Sequence, residues 1–387
     1  MRLHRLGVNL LYLVPGEVGG SEVYARELLS AIHRLEPELE LVVYCAPEAA
    51  EQLAGTDWGA GATLRTAPGR SRSKPLRAAL EQTWLPLRAR RDRVELLHSL
   101  GTTAPIFGSV PSVVTVLDLI FDHVPSTFPP LSRAGLRLIV PRAARRAAAV
   151  VAISQHGRED VASELGVARD GVFVTYLAAG GGGAAPATTE AELRRRFELY
   201  SSQVVLCVSA ALAHKNLERL IDAFAPLARE RDTALVLAGH GGADRDALAA
   251  RAAAAGIGDR VRLTGWIERS ELEGLYRAAL VFAYPSLIEG FGIPILEAMA
   301  RGVPVACSTA GALVEVAGSA AEFFDPLDVG AITAALQRLL DDGRRREELI
   351  ALGRAREREF SWDRCAAATL AVYEWVLGAA GDRGDRR

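Results

Sequence analysis

The sequence predicts an α/β protein with two doubly wound parallel sheets. Short β-branched runs alternate with amphipathic helical segments along the chain, which is typical of parallel sheets flanked by helices. Four consecutive glycines at 180–183 divide the 387 residues into halves of similar size, and such a run is typical of a flexible linker. Half of the residues are hydrophobic and 24% are charged, so each half can bury a core.

The first half contains five segments with strand character and a helical segment at 21–35. The predicted strands are Val8–Val14, Leu39–Cys45, Leu96–His98, Val113–Leu117 and Val150–Ile153. Ser154 precedes a helical segment at 155–165, where it is either the N-cap or part of a ligand site.

The second half alternates strand and helix more regularly. The predicted strands are Val204–Ser209, Ala234–Ala238, Val261–Thr264, Leu280–Tyr284 and Val303–Cys307. Doubly wound sheets bind their ligands at the carboxyl ends of the strands, so we expect the functional residues in the loops that follow these strands.

The predicted domain boundaries follow from the glycine run and the last helical stripe. We expect a first domain at 1–180, a linker at 181–192 and a second domain at 193–361. An apolar stripe at helical spacing predicts a C-terminal helix at 362–378, which we expect to pack back on the first domain.

The charge balance and the cysteines exclude several classes of protein. The chain has 45 basic and 47 acidic residues, so a nucleic-acid-binding function is disfavoured. Four widely spaced cysteines predict reduced thiols in the cytoplasm rather than a zinc site or a disulfide framework. The N-terminal apolar run is interrupted by Asn9, which favours a strand over a signal peptide. No apolar run is long enough to span a membrane.

The segment 286–305, SLIEGFGIPILEAMARGVPV, carries the sharpest pattern in the chain. Gly290 and Gly292 permit a close backbone approach, while Pro294 and Gly302 suit the start and the end of a helix. We therefore predict a short helix at 293–301 whose N-terminus favours an anion such as phosphate.

Two glutamates flank the predicted start of this helix. Glu289 lies in the loop before it, and Glu297 lies eight residues further on. Carboxylates accept hydrogen bonds from hydroxyl groups, so two carboxylates beside a bound phosphate suit the binding of a sugar. The alternative is that both acids only stabilise the helix dipole.

The stretch EGFGIPILEAMARGVPV resembles the E-x7-E signature of family 4 of the retaining nucleotide-sugar glycosyltransferases. The segments HKNLERLIDAF, VRLTGWI, LYRAALVFAYPSLIEGFG and FSWDRCA resemble family stretches in the expected order. The resemblance implies the GT-B architecture, in which two Rossmann-like domains face a central cleft. It is nearest to bacterial mannosyl- and rhamnosyltransferases of polysaccharide biosynthesis, which makes GDP-mannose the first candidate donor.

The resemblance also implies roles for residues of the second domain. Glu289 would contact hydroxyl groups of the donor sugar, and Glu297 would bind the ribose. Backbone groups would hold the sugar and phosphate at Gly290, Phe291, Gly292 and Ile293. Backbone groups at Gly265, Trp266 and Ile267 would frame the base.

Lys215 is one of only two lysines among the 45 basic residues, and the other is Lys74. The resemblance places Lys215 on the donor diphosphate, where its charge would stabilise the leaving group. The alternative is an ordinary surface lysine. His214 stands beside it where many relatives have arginine, so diphosphate binding would depend on Lys215, helix amides and His214.

The resemblance also implies roles for three residues of the first domain. Gly19 and Gly20 would form a glycine-rich loop facing the donor phosphate and the acceptor, and Asp118 would be a catalytic residue near the acceptor. Leu117 stands where many relatives have histidine, and leucine cannot hydrogen-bond a sugar. His98 and His123 are nearby in the chain, and we expect both to be structural.

Residues 65–93 contain nine basic residues and two acids, with leucines and Trp84 between them. We predict either a peripheral contact with an anionic membrane that presents a lipid-linked acceptor, or an amphipathic helix packed on the core.

Together these observations predict a cytoplasmic transferase that moves a sugar to a carbohydrate or lipid-linked acceptor without a metal or other cofactor. The D-x-D of Asp244 and Asp246 begins a predicted helix, where acids stabilise the dipole. Retention at the anomeric carbon follows either from same-face attack or from a covalent intermediate on Glu289. The alternatives are a nucleotide-sugar epimerase or hydrolase, and a non-catalytic binding scaffold.

Overall fold

The computed structural model describes residues 2–16, 19–69, 73–180, 187–199, 202–239 and 245–384. The chain forms two compact units, one of residues 1–177 with 361–387 and the other of residues 178–360. The last three positions of the predicted linker, 190–192, are helical and belong to the second unit. Residues 181–186 of that linker lie outside the described residues.

The first unit contains a seven-stranded parallel sheet in the order β3-β2-β1-β4-β5-β6-β7. Its strands are β1 (Arg5–Leu10), β2 (Glu40–Cys45), β3 (Thr63–Thr66), β4 (Leu96–Ser99), β5 (Ser112–Val116), β6 (Ala149–Ala152) and β7 (Val172–Val174). Its helices are α1 (Gly20–Leu35), α2 (Pro47–Ala54), α3 (Lys74–Arg91), α4 (Ile120–His123), α5 (Pro130–Arg146), α6 (Gln155–Leu165) and, from the end of the chain, α15 (Trp362–Gly384).

The C-terminal helix α15 packs on α1 within the first unit. The Tyr24 and Trp362 rings lie 6.5 Å apart, and Arg34 Nη2 lies 2.6 Å from Asp363 Oδ1. Tyr373 reaches further into the core, where its hydroxyl lies 2.6 Å from Nδ1 of the buried His98. Aromatic packing and polar contacts thus both join this distant segment to the first sheet.

The second unit contains a six-stranded parallel sheet in the order β10-β9-β8-β11-β12-β13. Its strands are β8 (Gln203–Val208), β9 (Thr233–Ala238), β10 (Val261–Gly265), β11 (Ala279–Tyr284), β12 (Val305–Ser308) and β13 (Ala321–Phe324). Its helices are α7 (Glu190–Arg196), α8 (Leu217–Glu230), α9 (Arg245–Ala254), α10 (Arg269–Ala278), α11 (Ile293–Ala300), α12 (Leu313–Ala317), α13 (Val329–Asp341) and α14 (Gly343–Glu357). The structure confirms the predicted α/β class with two doubly wound sheets.

Several predicted bounds are wrong. The first strand ends at Leu10 rather than Val14, because Leu13 N–H donates to Leu10 O and turns the chain. The predicted linker extends too far, because Thr189 and Glu192 form a capping box that begins α7 at Glu190. Strands β3, β7 and β13 have no counterpart in the prediction; each has three or four residues and lies at a sheet edge.

No helix among the described residues is both long and apolar enough to cross a bilayer. The four cysteines are free and buried.

Candidate donor-binding site

The loop into α11 has the geometry that its glycine and proline pattern predicts. Gly292 is the N-cap, with a φ of 103° that favours glycine, and a Cβ there would lie 2.7 Å from Leu313 Cδ2. Ile293 begins the helix as predicted, with Pro294 in its first turn. The positive end of α11 therefore adjoins the loop that contains Glu289 and Gly290, although Pro294 has no N–H and Ile295 N donates to Gly292 O at 3.0 Å.

Lys215 and Glu289 form an ion pair at the carboxyl ends of two neighbouring strands. Lys215 follows β8 and Glu289 follows β11, and these strands are hydrogen-bonded to each other. Lys215 Nζ lies 2.6 Å from Glu289 Oε1, and the two side chains are only 15% and 10% exposed. Lys215 is therefore not an ordinary surface lysine.

Tyr284 is a second partner of Lys215. Lys215 Nζ lies 3.2 Å from the Tyr284 hydroxyl and 5.4 Å from the centre of its ring. Tyr284 is the last residue of β11, so the strand itself positions this hydroxyl. The ammonium thus has a carboxylate and a phenol as partners.

Asn216 anchors the turn that presents Lys215. Its φ of 58° is left-handed, and its side-chain amide donates to Pro285 O at 3.0 Å and to Pro326 O at 2.7 Å. His214 O accepts a hydrogen bond from Leu287 N at 2.8 Å. The loop after β8 is therefore tied to the loop after β11, which carries Glu289.

Glu289 is ionised although it is buried. Burial raises the pKa of a carboxyl group, but the charge and hydrogen bond of Lys215 outweigh it here, and the pKa of Glu289 lies below its usual value. The pKa of His214 is also lowered, to about 4, by its burial and by the neighbouring Lys215. His214 is thus neutral near pH 7 and does not replace the positive charge of an arginine.

Gly311 supports the backbone of Glu289 from the other side. Its φ is 59°, and a Cβ there would lie 2.5 Å from Glu289 O. The next residue, Ala312, donates its N–H to the same carbonyl at 3.1 Å. Only glycine permits this approach, so Gly311 belongs to the structure of the site although the sequence analysis did not identify it.

Glu297 is held by a different tyrosine. The Tyr276 hydroxyl donates to Glu297 Oε2 at 2.9 Å, and the guanidinium carbon of Arg301 lies 4.9 Å from the centre of the Tyr276 ring. Burial raises the pKa of Glu297, while the Tyr276 hydrogen bond and Arg301 oppose that rise. Arg301 also pairs with Glu273, at 2.6 Å.

A shallow depression lies at the carboxyl ends of β8, β9 and β10. Gly265 lines it and accepts a hydrogen bond from Gly239 N at 3.2 Å. Ile267 is buried, whereas Trp266 is 61% exposed. The lining residues are Ser209, Ala211, Leu217, Leu237, Gly239, Arg245, Leu248, Leu263 and Gly265. Leucines line much of this depression, so its walls suit a flat, largely apolar group such as a nucleobase.

Comparison with known proteins places the chain in a family. A family profile described as "Glycosyl transferases group 1" matches residues 190–356, and one described as "Glycosyltransferase Family 4" matches residues 18–178. A GDP-mannose-dependent alpha-(1-6)-phosphatidylinositol monomannoside mannosyltransferase of Mycobacterium tuberculosis is 31% identical over 280 residues, which are 60% of this chain and 72% of that protein. The chain belongs to glycosyltransferase family 4.

A second relative supports this family 4 assignment, and a solved structure supports the fold. The O-antigen chain mannosyltransferase B of Escherichia coli is 32% identical over 228 residues, and the match covers 58% of this chain but only 60% of that relative. The sucrose-phosphate synthase structure from Thermosynechococcus elongatus has a TM-score of 0.77 at 19% identity, covering 97% of this chain and 100% of that one. The predicted family and GT-B fold class are both confirmed.

The remaining predicted positions of the family 4 chain are structurally defined, while their roles stay predictions. Gly290 lies in the loop before α11, and the Phe291 ring is buried 5.8 Å from the Phe360 ring. In the first unit, Gly19 is the N-cap of α1 with a φ of 57°, and Gly20 is its first residue. Asp118 follows β5, where its Oδ1 accepts a hydrogen bond from Ile120 N at 3.1 Å.

Three residues near these positions are structural in the described fold. Both ring nitrogens of His98 are engaged, by Tyr373 and by Thr115 Oγ1 at 2.8 Å, and His123 pairs with Glu164 at 2.7 Å. Ser154 is the N-cap of α6, where its hydroxyl accepts from Gly157 N. None of these three is therefore needed to explain a ligand site.

Sequence analysis missed Tyr276, Tyr284, Asn216 and Gly311. The two tyrosines lie in the family-like segment LYRAALVFAYPS, but nothing in their spacing indicates which carboxylate or ammonium they contact. Among the described residues, no three His, Cys, Asp or Glu side chains form a cluster suited to a metal ion. Asp244 lies outside the described residues, and Asp246 lies in the first turn of α9.

Proposed function

We propose that this protein is a retaining glycosyltransferase that moves a hexosyl group from a nucleoside diphosphate sugar to an acceptor hydroxyl in polysaccharide or glycoconjugate biosynthesis. The observation that carries the proposal is the buried Lys215–Glu289 pair beside the N-terminus of α11. This arrangement puts a cation, the N-terminus of a helix and a carboxylate within one site, as a diphosphate joined to a sugar requires.

In this proposal each charged group has one task. Donor binding moves the Lys215 ammonium from Glu289 towards the diphosphate, where it compensates the negative charge that grows as the bond from the anomeric carbon to phosphate oxygen breaks. The released carboxylate of Glu289 then accepts hydrogen bonds from the sugar hydroxyls, and Glu297 accepts those of the ribose. The acceptor oxygen forms the new bond to the anomeric carbon, and its proton passes to the departing phosphate oxygen.

The proposal needs no metal ion, because Lys215 and the amides of α11 supply the charge compensation. Retention follows if the acceptor attacks from the face that the diphosphate leaves. A covalent intermediate on Glu289 is the second route, and trapping with a slow donor analogue followed by mass spectrometry distinguishes the two.

GDP-mannose is the proposed donor. The name of the mycobacterial relative includes this donor, and the Escherichia coli relative is named as a mannosyltransferase. The depression lined by Gly239 and Gly265 is the proposed site of the base, and Trp266 and Ile267 follow Gly265 directly in the chain. A carbohydrate or lipid-linked molecule is the proposed acceptor, and a peripheral membrane contact is proposed for the first unit.

Calorimetry with GDP, UDP, ADP and dTDP tests the donor site. We expect GDP to bind most tightly and Lys215→Ala to weaken that binding, while Lys74→Ala leaves it unchanged. Tighter binding of another nucleotide would replace the proposed base, and no nucleotide binding would contradict the donor site.

Product analysis separates the remaining functions. Glycosylated acceptor together with nucleoside diphosphate indicates a transferase, whereas free sugar without acceptor indicates a hydrolase. Nucleotide binding without either product indicates a non-catalytic scaffold.

A further inference from the structure

Helices α3 and α5 lie on the same face of the first sheet. Leu85 of α3 packs with Leu97 of β4, and Val140 of α5 packs with Val114 of β5. Leu97 is paired in register with Ser112, two residues before Val114, and side chains two residues apart in a strand share a face. The two helices therefore cover neighbouring parts of one sheet face.

The loop at 105–110 joins the outer surfaces of these helices. Arg146 Nη2 of α5 donates to Gly108 O at 3.4 Å. Pro86 of α3, Phe107 of the loop and Arg146 line one shallow depression. We call the outward surface of α3, the loop 105–110 and α5 the two-helix face.

The two-helix face exposes large apolar side chains. Leu131 on α5 is 80% exposed, and Phe107 in the loop is 75% exposed. Leu138 lies two helical turns after Leu131 on the same side of α5, and Leu76 and Leu87 are exposed on α3. Clustered exposed apolar side chains mark an interaction surface.

The same face is strongly basic in a chain with a net charge of −2. Helix α5 carries five arginines and no acidic residue, and two of the five, Arg133 and Arg137, pair with Asp122 of α4. The only acid of α3, Glu81, is buried and accepts a hydrogen bond from Asn9. Arg142, Arg145 and Arg146 donate to backbone carbonyls, and within the described ranges none has a carboxylate at ion-pair distance. Their charges are thus available to an anionic partner.

The segment 65–93, which the sequence analysis predicted to be either a membrane contact or an amphipathic helix packed on the core, does not carry this surface alone. Asp92 pairs with both Arg65 and Arg88, and the Trp84 ring packs 6.0 Å from the ring of the buried Tyr44. Arg70 and Arg72 lie outside the described residues. Much of the apparent basic and apolar character of this segment is therefore used inside the first unit, and α5 supplies unpaired arginines.

We propose that the two-helix face binds an anionic lipid bilayer. Leucine and phenylalanine enter the boundary of the acyl chains, while the arginines contact lipid phosphates. A second copy of this chain would bring the same basic surface against itself, which opposes association. A soluble polyanion would leave Phe107, Leu131 and Leu138 without partners. The contact is peripheral, and it does not depend on the proposed chemistry of the second unit.

The test measures binding of the full chain to phosphatidylcholine vesicles with and without phosphatidylglycerol. We expect binding only to the anionic vesicles, with weakening by salt. Arg142→Gln with Arg146→Gln should weaken binding about 25-fold, since each arginine near an anionic surface strengthens it roughly fivefold. Leu138→Ser should weaken it about fivefold to tenfold, from lost apolar burial.

Matched variants in the second unit provide the controls. Arg195→Gln with Arg344→Gln removes the same charge, and Leu327→Ser removes a comparably exposed leucine. The controls should bind as the wild type does, and all variants should keep its thermal unfolding midpoint and its affinity for GDP. The proposal would be overturned if the wild type bound neutral vesicles as tightly as anionic ones, or if the control variants weakened binding as much as the test variants. It would also be overturned if the chain formed a dimer that Leu138→Ser dissociates. Failure of the wild type to bind nucleotides would affect the proposed function only.

Discussion

Tyr276 and Glu297 are joined by a partly buried hydrogen bond of 2.9 Å, from the phenol of α10 to the carboxylate of α11. The Arg301 guanidinium lies over the same ring and donates to Glu297 O at 2.9 Å. One carboxylate oxygen is thus oriented by the protein itself. This arrangement makes Tyr276 a positioning residue for Glu297 in the proposed donor site.

Tyr276→Phe removes the hydroxyl and keeps the ring under Arg301. A hydrogen bond to a charged group contributes about 1.5–3 kcal/mol, so we expect at least a tenfold rise in the donor KM with little change in kcat. Because the hydroxyl opposes the raised pKa of Glu297, the acid limb of donor binding should move to higher pH. Tyr44→Phe, which loses a hydrogen bond to Asp92 in the first unit, is the control. A lower kcat at unchanged KM would contradict the positioning role.

Lys215→Ala removes the cation that the proposed reaction requires. We expect kcat to fall by about 100-fold or more, as for other lost electrostatic contacts to a transition state, and Glu289→Ala to have an effect of similar size. Steady-state release of nucleoside diphosphate measures both. Lys74→Ala, which changes the only other lysine, should retain activity, and near-wild-type turnover of either site variant would refute the role assigned to that residue.

Lys215→Ala should also destabilise the second unit. It leaves Glu289 as an uncompensated buried charge, which typically costs about 3–5 kcal/mol. The double variant Lys215→Ala with Glu289→Gln should recover part of that loss, because the remaining group is neutral. Urea unfolding at pH 7 measures the difference, and a double variant less stable than Lys215→Ala would speak against a buried-charge penalty.

The buried His98 should make the first unit sensitive to acid. Burial lowers its pKa from 6.5 to about 3, so the unfolded chain binds a proton in this window and the folded chain does not. Stability is therefore fully present above pH 6.5 and declines, by about 1.4 kcal/mol per pH unit, as the pH falls towards 3. His98→Asn should be less stable at pH 7 but lose less with acid. His4 is exposed, and His4→Gln should leave the pH dependence of stability unchanged. An unchanged pH dependence in His98→Asn would show that His98 is not the source of the acid sensitivity.

Gly311→Ala tests the close approach to the Glu289 backbone. A left-handed φ costs an alanine about 1–2 kcal/mol, and the added Cβ would also lie 2.5 Å from Glu289 O. Gly256→Ala is matched, since Gly256 has a φ of 73° and nothing within 4 Å of an added Cβ. We expect Gly311→Ala alone to weaken nucleotide-sugar binding, as measured by calorimetry. Equal affinities of the two variants would show that the approach does not matter to the site.

Local features of the sequence were sufficient for much of the fold. The glycine and proline pattern around Gly292 predicted where α11 begins, and alternating strands and helices predicted two doubly wound sheets. The short edge strands β3 and β13 could not be predicted in this way, because TLRT and AEFF become strands only by pairing with a neighbouring strand. Strand β7 lies in the β-branched and aromatic run 172–176, a signal that the sequence analysis missed.

The sequence by itself determined the α/β class, the helix start at Ile293 and the residues to consider, including Lys215 and Glu289. These depend on caps, turns and periodicities that extend over a few residues. Only the tertiary structure decided that Lys215 contacts Glu289 and Tyr284, and that Asp92 pairs with two arginines of the segment 65–93. The physical reason is that Lys215 and Glu289 are 74 residues apart in the chain, and the pairing of β8 with β11 brings them together.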